Sequence, residues 1–87
     1  MEPFYFKSYD KILATANNVN ELLAAMEKLL KENPESLKYH LNNKDIYAWL
    51  NYTGEKKLAS KLKNIEDPEN AISSIKSYLN PKPKRKK

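Results

Sequence analysis

The chain has 87 residues, of which 40% are hydrophobic and 31% charged, with a formal net charge of +5 and no cysteine. This length suffices for one small domain with a thin core, and the lack of cysteine excludes disulfides and thiolate metal sites. No run of eighteen apolar residues is present, so we expect no membrane span. Residues 1–4 lack a basic region followed by an apolar stretch, so we expect no secretory signal and a cytoplasmic protein.

The first segment with a structural signal is the aromatic run Phe4-Tyr5-Phe6, which lies between Pro3 and Lys7. A short run of this kind is typical of an extended segment or a strand that covers the core. The following run, residues 11–16, has two interpretations. It is either a second strand, joined to the first through Ser8-Tyr9-Asp10, or a helical turn.

The strongest helical pattern begins at Asn18, which with Glu21 has the spacing of an N-terminal capping box. Apolar residues then recur along one side of a helix, and we predict an amphipathic helix from Val19 to Lys31. The residues of this apolar side are Val19, Leu22, Leu23, Met26, Leu29 and Leu30.

Four further helices are predicted from their ends. Asn33-Pro34 ends the first helix and starts the second, and Asn42-Asn43 ends the second. Gly54, the only glycine, follows the third helix and suits a left-handed C-terminal cap. The fourth helix is predicted over residues 55–62. The fifth is predicted to begin at Asp67-Pro68 and to end before Pro81.

The predicted fold is therefore mainly α, a compact bundle of four to five short helices with a short N-terminal hairpin or extended aromatic segment. Residues 1–79 form a single helical domain, and residues 80–87 form a disordered basic tail. The predicted core consists of Phe4, Phe6, Leu22, Leu23, Met26, Leu30, Leu37, Leu41, Ile46, Trp49, Leu50, Leu58, Leu62, Ile72, Ile75 and Leu79.

Three short motifs occur in a recognisable order: Tyr39-His40, then Asp-Ile-Tyr-Ala-Trp-Leu at 45–50, then Gly-Glu-Lys-Lys-Leu-Ala at 54–59. With the aromatic run at 4–6 ahead of them, they resemble a small archaeal and bacterial domain family of unknown function. The resemblance covers roughly residues 4–79 and leaves out the tail. It implies a helical fold for this region and implies no activity.

Two positions depart from the pattern of that family. Lys44 stands before Asp45 where the family has asparagine, and Ile46 stands where an aromatic residue is usual.

All of the net charge lies at the C-terminal end. Of the 16 basic and 11 acidic residues, five basic ones lie in the tail and no acidic one does, so residues 1–79 are neutral. A cationic arm on a neutral domain predicts a polyanionic partner, and we expect nucleic acid, DNA rather than RNA. Two alternatives stay open: a targeting signal in residues 84–87, or a solubilising end. The tail cations are Lys82, Lys84, Arg85, Lys86 and Lys87.

A second group of basic residues lies on the predicted fourth helix and consists of Lys56, Lys57, Lys61 and Lys63. A third helix, a turn at Gly54 and a fourth helix loosely match a helix-turn-helix, in which Lys56, Lys57, Ser60 and Lys61 would face the DNA groove. Glu55 at the helix start and the absence of base-reading side chains argue against that interpretation. The alternative is a solvated lysine face.

Five aromatic residues allow either a platform for stacked bases or a role in packing: Tyr39, Tyr47, Trp49, Tyr52 and Tyr78. Trp49 falls on the inward side with the apolar residues of its helix, which favours the core. Tyr47 and Tyr52 are predicted to be partly exposed and are the candidates for a surface that binds a protein partner or a second copy of the chain.

His40 is the only histidine, and a single histidine without cysteine cannot complete a four-ligand zinc site. His40 and Asp45 are five residues apart across a helix break, which suits either acid-base catalysis or a structural hydrogen bond. We expect the structural bond, no catalytic residues, no metal and no cofactor, and hence a protein that is not an enzyme.

These observations predict a protein that binds the nucleic-acid backbone without sequence preference, of the chromatin or nucleoid-associated type, through its basic tail. It would be cytoplasmic at the nucleoid, or nuclear in a eukaryotic host. The alternative is a small protein-protein interaction module whose tail serves solubility or targeting.

Overall fold

The computed structural model describes residues 2–8 and 10–80, in which a two-stranded hairpin precedes five helices. The predicted mainly helical fold is confirmed, and of the two interpretations of residues 11–16 the strand is correct. Residues 81–87, which make up the predicted tail after Asn80, lie outside the described residues. The elements are β1 (Phe4–Ser8), β2 (Lys11–Ala16), α1 (Val19–Glu32), α2 (Pro34–Asn42), α3 (Asp45–Tyr52), α4 (Lys56–Leu62) and α5 (Pro68–Leu79).

The hairpin is antiparallel, with Phe4 opposite Ala16 and Tyr5 opposite Thr15, and its register shifts after Phe6. Because side chains alternate between the two faces of a strand, Phe4, Phe6 and Ala16 point inward and are buried. Tyr5 and Thr15 lie on the outer face and are exposed. The alternation fixes which side of the hairpin covers the helices.

The capping signal at the start of α1 is realised with one change. The Asn18 side chain accepts the Glu21 N–H at 2.8 Å, but the Glu21 carboxylate accepts from the backbone and side-chain amides of Asn17 at 2.8 and 2.9 Å. These hydrogen bonds, the backbone one first, lower the pKa of Glu21. The helix ends at Glu32, one residue later than predicted.

The core joins the inner face of the hairpin to one side of every helix. All but three of the predicted core residues are buried. Leu23, Leu30 and Leu79 are only partly buried but pack against the core. Buried apolar residues outside that predicted set are Ala16, Val19, Ala25, Leu29, Ala59 and Ala71, and the buried polar residues are Ser36 and His40.

Gly54 adopts the left-handed conformation predicted for it, with φ of +91°. Its N–H donates to the Asn51 carbonyl at 3.2 Å and the Glu55 N–H donates to the Leu50 carbonyl at 2.8 Å, the pair of bonds that closes a Schellman cap. Glu55 belongs to this cap, which is why α4 begins at Lys56, one residue later than predicted.

Replacing Gly54 with alanine should therefore lower the free energy of unfolding by about 1–2 kcal/mol. A Cβ at this position would meet no atom within 4 Å, so the cost comes from the backbone conformation alone. Gly54→Asn is the control and should cost less, because asparagine tolerates left-handed φ. Urea unfolding measures both, and equal stability of the alanine variant and the parent would contradict the expectation.

Candidate nucleic-acid interface

The lysines of α4 share one exposed side of the helix. Leu58, Ala59 and Leu62 are buried, and Lys56, Lys57 and Lys61 are exposed, as is Ser60 between them. Lys63, the C-cap residue, is also exposed. Helical periodicity thus separates an apolar side, which holds α4 on the core, from a cationic side that faces solvent.

None of these lysines is engaged by a carboxylate within the described part of the chain. The two ion pairs formed there join Lys76 to Glu27 at 3.0 Å and His40 to Asp45 at 2.8 Å. Glu55, which precedes α4, instead accepts a hydrogen bond from the Tyr78 hydroxyl at 2.6 Å. That hydrogen bond, followed by desolvation, raises the pKa of Tyr78. The α4 lysines therefore keep their charge available to an anionic partner.

Lys44, which is not among the predicted nucleic-acid-binding residues, contacts the end of α4. The Lys44 ammonium donates to the carbonyl of Lys63 at the end of α4. A cation near the carboxyl end of a helix interacts favourably with its unpaired carbonyls. The residues are 19 positions apart, so the contact appears only once α3 and α4 are packed.

The helix-turn-helix interpretation gains little from the geometry. A three-residue connection from α3 and the turn at Gly54 are present, but α4 has seven residues and is about 10 Å long. It offers lysines and a serine to solvent, and these groups suit phosphate rather than base edges. A short lysine-bearing helix is better matched to backbone contact.

The structure places the predicted partner tyrosines on different sides of α3. Tyr52 is 64% exposed, whereas Tyr47 is half-buried and packs against the core. Five residues of helix separate them by about 140° around the axis, so they do not form one patch. Trp49 is buried and donates from Nε1 to the Glu2 carbonyl at 2.9 Å. The interpretation of Trp49 as a core residue is confirmed.

His40 and Asp45 meet as a hydrogen-bonded pair. The His40 Nδ1 lies 2.8 Å from the Asp45 carboxylate, and Nε2 lies 3.0 Å from the Lys7 backbone nitrogen and 3.1 Å from the Lys7 carbonyl. The Ser36 hydroxyl donates to the same carbonyl at 3.3 Å. Both ring nitrogens are therefore occupied by protein atoms, and the arrangement joins β1, α2 and α3.

No group of three or more histidine or carboxylate side chains in the described ranges is arranged to hold a metal ion. Among the helices of residues 2–8 and 10–80, none combines the length and apolar content required to cross a bilayer.

No known family model, curated protein or solved structure matches this chain. Support for a nucleic-acid interface therefore comes from the geometry and charge of α4 and not from any related protein. The five tail cations Lys82, Lys84, Arg85, Lys86 and Lys87 lie outside the described residues, so the structure places only the α4 part of the predicted nucleic-acid-binding set.

Proposed function

We propose that the protein binds the phosphate backbone of nucleic acid without sequence preference, through the lysines of α4 together with the basic tail. The observation that carries this proposal is the separation of charge. Residues 1–79 are neutral as a whole, yet the exposed side of α4 carries lysines without carboxylate partners in the described residues. The five tail cations, which account for the whole net charge of +5, follow within residues 82–87.

The type of cation favours backbone contact over base recognition. Fifteen of the 16 basic residues are lysine and one is arginine. Lysine presents a point charge on a flexible stem, whereas the arginine fork can bind guanine through two hydrogen bonds. A surface of lysines neutralises phosphates of any sequence.

The size of the effect follows from the number of charges. Each phosphate that is neutralised on duplex DNA contributes about −0.9 to the slope of log K against log salt concentration. The five tail cations alone would give a slope of about −4.5. The lysines of α4 would add to this slope in proportion to the contacts that they make.

The proposal is tested by comparing the full chain with a shortened chain that ends at Leu79, using a duplex DNA of random sequence. We expect the full chain to bind near the micromolar end of non-specific affinities. The tail contacts alone should cost it roughly two to three orders of magnitude in affinity between 50 and 200 mM salt, and contacts made by α4 would add to that loss. The shortened chain should lose most of the affinity and most of the slope, and its circular dichroism should match the full chain.

The other outcomes are equally informative. If the two chains bind with equal affinity, the tail is not the main contact and α4 carries the binding. If neither binds duplex DNA, single-stranded DNA or RNA at 50 mM salt, the proposal is wrong. The interaction module with Tyr52 on its surface is then the remaining hypothesis.

A further inference from the structure

An open groove of ≈ 520 Å³ lies between α4 and α5, beside the cationic side of α4. It is bordered on one side by Lys61 of α4 and Ile65 of the following loop, and on the other by polar residues of α5. The α5 residues are Asn70, Ser73, Ser74 and Ser77. The groove exists only because α4 and α5 pack side by side.

The polar groups that line this groove can all donate hydrogen bonds to phosphate oxygens. Three hydroxyls, one side-chain amide and one ammonium line it, and no carboxylate is among its lining residues. Lysine, serine and asparagine side chains make many of the contacts to phosphate and sugar in protein–DNA complexes. The hydroxyls face outward because Ala71, Ile72 and Ile75 hold the opposite side of α5 in the core.

The lysines of α4 extend the cationic border. Lys57 precedes Lys61 by four residues, so the two lie one turn apart on the same side of α4. Both are exposed. A phosphate seated against Ser77 or Ser73 would therefore meet Lys61, which lines the groove, with Lys57 one turn away along the same side of α4.

Acidic residues limit where the anion can lie. Glu66, Asp67 and Glu69 cluster at the start of α5, and Asp67 is used to cap the Asn70 N–H at 3.0 Å. At the other end, Glu55 is bound to the Tyr78 hydroxyl. These charges favour a backbone that crosses the middle of the groove over one that follows α5 to its first turn.

A second and larger groove among the described residues does not suit the same ligand. It has a volume of ≈ 720 Å³ and lies between β1 and α2. Glu35 and Asp45 are both in its lining, and its buried polar groups, Ser36 and His40, are already bonded to Lys7 or Asp45. A polyanion would meet carboxylates there, so the α4–α5 groove is the better site.

We propose that the α4–α5 groove seats the sugar-phosphate backbone of nucleic acid, with Lys57 and Lys61 neutralising phosphates and Ser73 and Ser77 donating hydrogen bonds to them. This inference rests on the proposed function and adds to it a defined contact site on the folded domain. The tail then supplies long-range attraction, and the groove fixes the orientation of the domain on the strand.

The test uses the full chain, a duplex DNA of random sequence, and variants that separate charge from hydrogen bonding. Lys57→Gln combined with Lys61→Gln should weaken binding at 50 mM salt by at least about tenfold and reduce the salt slope by about 1.8. Lys28→Gln combined with Lys38→Gln removes the same charge from α1 and α2. This control should change affinity less than threefold.

The hydroxyls are tested by Ser73→Ala combined with Ser77→Ala, substitutions that a helix accepts readily. Affinity should fall about threefold to tenfold while the salt slope stays unchanged, because no charge is removed. In the parent chain, the backbone amide NMR signals of Lys61, Ser73 and Ser77 should shift on titration with the duplex more than those of the hairpin.

The outcomes separate the groove from the tail. If the lysine pair in α4 behaves like its control and the serine variant binds like the parent, the groove inference is overturned, while tail-driven binding stands. Loss of affinity with the lysine variant but not with the serine variant also overturns the groove, because an exposed cationic face would explain it. If the parent itself does not bind, both this inference and the proposed function fail.

Discussion

Replacing Trp49 with alanine should lower the free energy of unfolding by about 3–5 kcal/mol. The side chain is 8% exposed, its ring centroid lies 5.9 Å from that of Phe4, and its Nε1 donates to the Glu2 carbonyl. Its removal would leave a cavity where α3 meets the hairpin. Small domains have about 5–15 kcal/mol of total stability, so the loss is a large share of it.

Thermal unfolding followed by circular dichroism measures this effect, and a drop in melting temperature of about 12 °C or more is expected for a domain of this size. Trp49→Phe keeps most of the ring volume and removes the Nε1 donor, so it should cost much less. Tyr52→Ala is the surface control and should be neutral to within about 0.5 kcal/mol. A Trp49→Ala variant that melts within about two degrees of the parent would show that the indole contributes nothing to the core.

The helices could be predicted closely because their signals are local. Asn18, Pro34 and Asp67 each start a helix, and the side chains of Asn18 and Asp67 accept from N–H groups of the first turn as the capping rules require. Gly54 ends α3 with the expected left-handed cap. These features depend on a few neighbouring residues, so a single sequence contains them.

The parts of the fold that depend on contacts between distant segments are harder to predict from the sequence. Residues 11–16 have no clear periodicity, and only pairing with β1 decides that they form a strand. The break after α2 falls at Asn42-Asn43 as predicted, but the residue that turns left-handed is Lys44, with φ of 67°. Asparagine tolerates that conformation better than lysine, which makes Lys44 an unexpected occupant.

The candidate interface also has one part that local sequence predicts and one part that only tertiary packing creates. The exposure of Lys56, Lys57 and Lys61 follows from helical spacing around buried leucines. The groove beside them does not, because Ser73 and Ser77 meet Lys61 only when α5 packs against α4. In the sequence, these serines read as ordinary polar positions of an amphipathic helix. Their placement depends on tertiary packing, which no local signal contains.

His40 is the position at which one substitution should separate the hairpin from the helices. The His40 and Asp45 pair could be proposed from the sequence, but the partner at Nε2 could not, because Lys7 lies 33 residues away and contributes backbone atoms. With the ring proton on Nδ1, Asp45 accepts it, and Nε2 accepts the Lys7 N–H. The ring also lies edge-on to Phe4 and Phe6, at centroid distances of 5.6 Å.

We expect His40→Ala to cost about 2–4 kcal/mol, because it creates a cavity beside two phenylalanines and leaves the Lys7 N–H without its partner. His40→Gln is the matched variant. Its side-chain amide can replace Nε2 toward the Lys7 backbone but cannot reach Asp45, so it should recover part of the lost stability. Urea unfolding of the two variants gives the comparison.

Native-state hydrogen exchange locates the effect. In His40→Ala the amide proton of Lys7 and those of the paired strand residues should exchange faster, since the outer edge of β1 would be open to solvent. The amide protons of α5 should keep the protection set by global unfolding of the same variant. If instead the hairpin amides lose protection only in proportion to global stability, His40 supports the whole core equally and does not act as a local clamp. That result would also contradict a local positioning role for Asp45. Its carboxylate lies 2.8 Å from the His40 ring and accepts a hydrogen bond from the Asn43 side-chain amide at 2.9 Å.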